Sequence, residues 1–428
     1  MPVPIICASR ALCQFTAEFA GCFGKPSRKY FVTVLLALLL CEDRRTLCGL
    51  LRSVADRISL CGLSRFFSRS PWSEERVAEC WLERFRNQQA PFVEAEHQRQ
   101  RACRPRRPGR PAATLVTGYL IVDDSVHVKP RGCRMGGLGY HYSSTERRQV
   151  RGHCLFGSLY VLGERRCPLQ PRLYVTRETC EKDGRPFKSK VDLARETVAS
   201  FEPVPGAHTH VLCDCWYTCK ALWRTARARG FDISGGIRAN RSLRIITADG
   251  HRQWQKLPEY AATLTAKDFE QVVWPSENGG SPLWVHSVRT HIRKLGACRL
   301  LVVRPQPDAP PSQTRYFVSS LVDASAQQIV NALAVRWSIE TFFEDVKELF
   351  GTDHYQLMEP RAICRFWTMA YLAYIFLEEQ RSRLGPHLSI GQVRRQIQRE
   401  HYGDLLTRLT APIPDQEALQ PLQARLAA

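Results

Sequence analysis

Three acids in this sequence stand where carboxylates can do chemistry. Asp123 closes the apolar run GYLIVDDS (118–125), Asp214 closes HTHVLCD (208–214), and Glu340 lies inside the helical stretch RWSIETFFEDVKELFG (336–351). Carboxylates gathered at one place repel one another and stay charged only beside cations. Hard oxygen ligands of this kind select Mg²⁺ or Mn²⁺, which keep water or phosphate oxygens in their remaining positions. Two such ions, about 3.5–4 Å apart, can activate an attacking oxygen and stabilise a leaving one at a phosphodiester. Taken singly, a strand-end Asp is usually a cap or turn residue, and a helical Glu usually a weak surface ion pair. The conjunction of three carries the reading. No GxxxxGK[ST] phosphate loop occurs, so a nucleotide-binding signature is missing.

The elements that must hold these acids follow from periodicity. Val335, Ile339, Phe342, Val346 and Leu349 recur at the spacing of one helical face, and Arg336, Glu340, Glu344 and Lys347 form the adjoining stripe. Trp337 and Phe343 flank that stripe, so it is expected to be only partly solvated. Glu344 is placed for a pair with Lys347 three residues on, holding the ammonium for a phosphate. Gly351 is the expected C-cap, and Ser325 to Gln328 reads as a capping box opening an earlier helix.

Upstream, GYLIVDDS, VRGHCLFGSLYVLG, QPRLYVT, HTHVLCD and DISGGIR read as strands, alternating with helices over Lys188–Ser200 and Tyr217–Arg229. The segments LWVHSVRTHI, CRLLVVRP and TRYFVSSLV look β-rich and inserted before the helical region at Ser325. The chain is therefore divided into residues 1–97, a helical region; 98–113, a linker; 114–239, the first part of an α/β core; 240–324, a β-rich insertion; 325–385, the catalytic helix and those after it; and 386–428, a helical tail. In the first region Leu47, Leu50, Leu51, Val54 and Ile58 suggest one apolar helix face, and Ser73 starts a further helix. Short helices joined by tight turns suit a helix-turn-helix-like DNA module, with Arg65 and Arg69 as candidate contacts. In the linker, QRQRACRPRRPGRP is too rich in Pro and Arg to pack. Its Arg104, Arg106, Arg107 and Arg110 are candidate phosphate contacts.

Sixty-one Lys and Arg against 41 Asp and Glu leave a net charge of +20, which suits a polyanion, most simply double-stranded DNA. The apolar run VTVLLALLL (32–40) is too short to span a bilayer and reads as a buried helix, so no membrane partner is expected. Seventeen scattered cysteines make a disulfide framework unlikely to form, and CDCWYTC (213–219) lacks a second ligand pair for zinc. A reducing cytoplasm is expected.

On these residues the chain resembles the DDE transposases of bacterial insertion sequences, in the superfamily whose third motif reads Tyr-x2-Arg-x3-Glu-x6-Lys. Arg336, Glu340 and Lys347 match that motif in register; VDDS matches the first motif and selects Asp123 over Asp124; LCDCWYT resembles the second at Asp214. Leu333 stands where the motif has Tyr, which leaves any role of that hydroxyl without a carrier. The resemblance, over about Gly118 to Leu377, implies an RNase H-like core, a mixed sheet flanked by helices, with a β-rich insertion between the second and third acids. It implies that Asp123, Asp214 and Glu340 bind two Mg²⁺ or Mn²⁺ ions, that Arg336 and Lys347 contact DNA phosphates, and that a dimer forms on DNA. It implies cleavage at element ends and 3′-hydroxyl transfer into target DNA in a bacterial, nucleoid-associated setting. Trp254, Trp274 and Trp284 in the insertion are candidates to hold a flipped base. The alternatives are a metal-dependent nuclease that does not join ends, and a catalytically inactive DNA-binding descendant.

Overall fold

A computed structural model describes residues 9–409 apart from 55–57, 104–113, 133, 144–145, 248 and 277–278. Helices come first: α1 (Arg10–Glu18), α2 (Lys25–Leu40), α3 (Leu47–Arg52), α4 (Leu60–Ser68) and α5 (Glu74–Cys103). Ser9, Thr46 and Ser59 start three of them by accepting a backbone N–H three residues on, which satisfies a donor the helix itself cannot. The apolar run 32–40 lies in α2 and is buried almost all round. The face expected to continue to Ile58 breaks earlier, because Ser53 caps α3. Arg65 and Arg69 are exposed at the end of α4. α5 runs through Cys103, past the expected start of the linker at 98. Arg104, Arg106, Arg107 and Arg110 lie outside the described residues.

The α/β part opens with β1 (Thr117–Val128), β2 (Gly139–Ser143), β3 (Arg148–Leu162), β4 (Arg165–Pro168) and β5 (Arg172–Tyr174). β3 pairs antiparallel with β1, and its outer edge takes β2, β5 and β4 in turn. After α6 (Arg177–Lys182) and α7 (Lys190–Ser200), β6 (His208–Cys213) joins β1 in parallel; α8 (Lys220–Ala228) then leads to β7 (Asp232–Gly236), parallel to β6. A parallel partner needs a crossover connection, and these helices supply it.

The expected insertion holds β8 (Ser242–Ile246), β9 (Arg252–Lys256), α9 (Leu257–Ala262), β10 (Glu270–Trp274), β11 (Ser281–Ile292), β12 (Gly296–Arg304) and β13 (Arg315–Ser319). It is not a separate sheet. β13 pairs antiparallel with β7, so all 13 strands form one mostly antiparallel sheet with the order β2-β3-β1-β6-β7-β13-β12-β11-β8-β9 along its path.

The chain then returns through α10 (Ala326–Val335), α11 (Trp337–Phe350), α12 (Pro360–Leu384) and α13 (Ile390–Leu409). α12 is buried along most of its length, packed by α2, α4, α5, α11 and α13, so the first and last helices share one apolar core with the sheet. A smaller core joins the insertion to α10 through Val272, Val285, Leu301, Ile329, Val330 and Leu333. Leu333 thus fills an apolar cluster where the motif has Tyr. Among the described residues no helix is long and apolar enough to cross a membrane.

Candidate active site

Strand pairing sets the first two acids side by side. β1 and β6 run parallel as far as Val122 opposite Cys213, so Asp123 and Asp214 leave that pairing in step, on strands about 4.8 Å apart. Asp123 does not end its strand as the sequence suggested. β3 keeps β1 extended to Val128; it is β6 that stops, opening the sheet at Asp123. Asp214 begins a turn, its Oδ1 accepting the N–H of Trp216 at 2.9 Å and of Tyr217 at 3.1 Å. That turn delays α8 to Lys220, three residues beyond the expected start at Tyr217.

Neighbouring residues of a strand face opposite ways, and this separates Asp123 from Asp124. Gly157 lies directly opposite Asp123, and a Cβ built there would stand 2.7 Å from the Phe343 ring of α11. Asp123 therefore faces α11. Asp124 faces α7, where its Oδ2 lies 2.6 Å from the Lys190 Nζ, and its Oδ1 accepts the Tyr217 hydroxyl at 2.7 Å. The Cys154 thiol adds a longer contact at 3.3 Å.

The third acid arrives on α11 together with Arg336, which caps α10 and opens α11. The Arg336 guanidinium spans two carboxylates: Nη1 is 3.5 Å from Asp123 Oδ2 and Nη2 is 2.6 Å from Glu340 Oε1. Among the described residues no three His, Cys, Asp or Glu side chains stand close enough to share an ion, since Glu340 is turned onto Arg336. Burial, then the charges of Asp214 and Asp124, push the Asp123 carboxyl up to about 7. Burial also raises Asp214, against the two N–H groups that hold it down.

Lys347 lies two turns beyond Glu340, half-buried, its ammonium lowered by desolvation with Asp353 and Glu344 as the nearest opposing charges. It forms no ion pair with a described residue, so the expected Glu344–Lys347 pair is absent; Glu344 points to solvent. Of the three expected tryptophans, Trp254 is exposed on β9, while Trp274 and Trp284 are half-buried against the two cores. The tryptophans exposed nearest the acids in sequence are Trp216 and Trp337. Neither was singled out for a ligand, although Trp216 sits between a strand-end Asp and a polar turn, a place where packing does not ask for an indole.

No curated protein matches the chain. Among solved structures it is similar to a piggyBac transposase synaptic complex with hairpin DNA, with a TM-score of 0.43 and 15% sequence identity, over 94% of this chain and 76% of that one. The family model of the transposase DDE domain matches residues 188–376, and that of the DDE superfamily endonucleases matches residues 18–265. With more than half its length inside the second match, the chain belongs to the DDE superfamily endonucleases and is a DDE transposase.

Proposed function

We propose that the protein cuts DNA at the ends of an insertion sequence and joins the freed 3′-hydroxyl to target DNA, with Asp123, Asp214 and Glu340 as its catalytic carboxylates. The observation that carries this reading is the Arg336 bridge. One guanidinium already balances Asp123 and Glu340, and Asp214 stands in register beside Asp123. Three carboxylates converging on a single positive charge form the donor set of a cation site, and the raised Asp123 carboxyl expresses what that set lacks without one. DDE nucleases generally use divalent metal ions; hard carboxylate oxygens favour Mg²⁺ or Mn²⁺, and two of them held here would stabilise charge on the attacking and leaving oxygens.

The chain's own groups do the rest. Two backbone N–H groups fix Asp214, and Lys190, Tyr217 and Cys154 saturate Asp124, so it braces β1 and does not compete as a ligand. Arg336, once relieved of its carboxylates, offers a planar fork to a DNA phosphate, and Lys347 a point charge. In the first step a water oxygen bonds to phosphorus and the 3′ oxygen leaves, taking up a proton to become a hydroxyl. In the second that hydroxyl attacks a target phosphodiester and expels its 3′ oxygen. An RNase H-like reading of the core is supported by the antiparallel β3–β1 pair continuing into parallel β6 and β7. Net charge +20 supports the DNA partner, and joining two element ends suits a dimer.

The test is single-turnover cleavage of an end-bearing duplex by folded Asp214→Asn and Glu340→Gln proteins. Both should bind the end and fail to cut. Cleavage by either sinks the assignment, and cutting by the wild type without joining of a pre-cut end reduces the protein to a nuclease.

A further inference from the structure

A cavity of about 750 Å³ opens beside the Asp214 turn, between the start of α7 and the first strands of the insertion. Trp216, Arg238, Arg241, Lys256, Arg293 and Lys294 are among its lining residues, and no Asp or Glu lines it. Lys190 also reaches the wall, but its charge is spent on Asp124. None of the other five cations forms an ion pair with a described residue: Arg241 donates to the Thr218 carbonyl and Lys256 to the Asn240 carbonyl. Arg293 and Lys294 are presented by the turn between β11 and β12, where Lys294 takes a left-handed φ of 74°. Trp216 is 55% exposed, with the Arg238 guanidinium 5.0 Å from its ring centroid.

Five cations left uncompensated around one concavity repel each other, and the fold gains nothing from them there. Such a cleft focuses positive potential onto whatever enters it. The occupant that relieves the repulsion is a polyanion. An indole face turned into the same space, backed by an arginine, adds a surface on which a nucleobase stacks. Size narrows the choice further: the volume lies in the range that encloses a small molecule, while a duplex, whose major groove alone is about 12 Å wide, cannot be engulfed by it.

We infer that this cavity is a single-strand subsite, taking one or two unpaired nucleotides next to the phosphodiester at the carboxylates, with a base on Trp216 and phosphates on Arg241, Arg293 and Lys294. The inference rests on the proposed DNA chemistry of the neighbouring acids and extends it. Trp216 is two residues from Asp214, so a base held on it would fix the strand relative to the reacting phosphate. The strand would have to be unpaired there.

The experiment measures binding by the full chain, in chelator and so without cleavage, of a blunt duplex and of the same duplex with a short unpaired thymidine tail. The wild type should bind the tailed DNA more tightly and show tryptophan quenching by the tail. Trp216→Ala should weaken tailed binding about tenfold, the scale of one stacked base, and leave blunt binding unchanged. Trp216→Phe should restore most of the affinity while losing the quenching. Arg293→Ala with Lys294→Ala, on an exposed turn, should flatten the salt dependence for tailed DNA only. Equal binding of the two DNAs by the wild type, or equal losses on both in Trp216→Ala, overturns the inference. So does displacement of the tail by a free nucleoside triphosphate at matched nucleotide concentration, which would make the cavity a mononucleotide site. Failure of the catalytic assignment is read elsewhere, as cleavage by Asp214→Asn, and does not alter these binding results.

Discussion

Asp123 and Asp124 are consecutive residues on one strand, yet the two faces of the sheet treat them in opposite ways. Asp124 is matched: an ammonium, a phenol and a thiol approach its two oxygens. Asp123 is left short, with one backbone N–H, a guanidinium at 3.5 Å and two carboxylates as neighbours. Folding alone would favour the first arrangement at both positions, because a buried carboxylate is stabilised only by partners. An unmet requirement on one face beside a satisfied one on the other marks where the protein keeps room for a cation and a substrate.

The largest test of this contrast exchanges each acid for its amide. Asp123→Asn should abolish cleavage and, above about pH 7, make the metal-free protein more stable, since it removes a repelled carboxylate. Asp124→Asn should do the reverse. It leaves Lys190 facing a neutral group and should cost about 1–3 kcal/mol in urea unfolding, with cleavage by the folded fraction retained. A dead, fully folded Asp124→Asn beside an active Asp123→Asn would exchange the two roles.

Gly157 decides whether the Asp123 face can meet α11 at all. A methyl group there would press on the Phe343 ring. Gly157→Ala should therefore cost about 1–3 kcal/mol as overpacking and weaken the Arg336 bridge by lifting α11. Phe343→Leu in the same chain should recover part of the loss. If Gly157→Ala is neutral, α11 sits more loosely on β1 than the contact implies.

Local features of this site were legible from the sequence because they depend on neighbours in the chain. The Ser325 capping box and the left-handed Gly351 cap formed as their residue types demand. Spacing brought Arg336 and Glu340 together at four residues, and they do meet. What was not legible depends on distant pairing. Nothing in TRYFVSSLV says that β13 will continue the sheet from β7, and no period in GYLIVDDS says that β3 will carry β1 five residues past Asp123. The stripe through Arg336 read as one uninterrupted helix, whereas Arg336 is the joint between two. The basic cavity combines residues from three separate stretches, so only the fold could assemble it.

A pH series sharpens the comparison further. The Asp123 carboxyl, at about 7 against an ordinary 3.8, binds its proton more tightly in the folded chain than in the unfolded one. Its contribution to stability is thus complete below the unfolded value and is lost as pH rises through about 7. Asp123→Asn should remove that portion of the slope. Metal uptake needs the ionised acid, so affinity for Mg²⁺ or Mn²⁺ should fall by up to about tenfold per pH unit below 7, with proton release on binding. Calorimetry in two buffers of different ionisation enthalpy measures both, and an affinity flat from about pH 6 to about pH 8 would remove Asp123 from the ligand set.

The smallest expected effect separates the two glutamates of α11. Glu340 and Glu344 are one turn apart, so a site displaced by that turn would use the second. Glu340 is drawn inward by Arg336, which also holds Asp123. Glu344 is exposed and has no ion-pair partner among the described residues; its charge is felt only weakly, by Lys347 and by Asp345, whose carboxyl is pushed up to about 6 chiefly by burial. Removing a charge in that setting changes stability by no more than about 0.5 kcal/mol. Glu344→Gln should therefore cut an end-bearing duplex at close to the wild-type single-turnover rate, while Glu340→Gln shows none. Loss of cleavage in a folded Glu344→Gln, with Glu340→Gln active, would move the third carboxylate along α11 by one turn and leave the Arg336 bridge a structural pair.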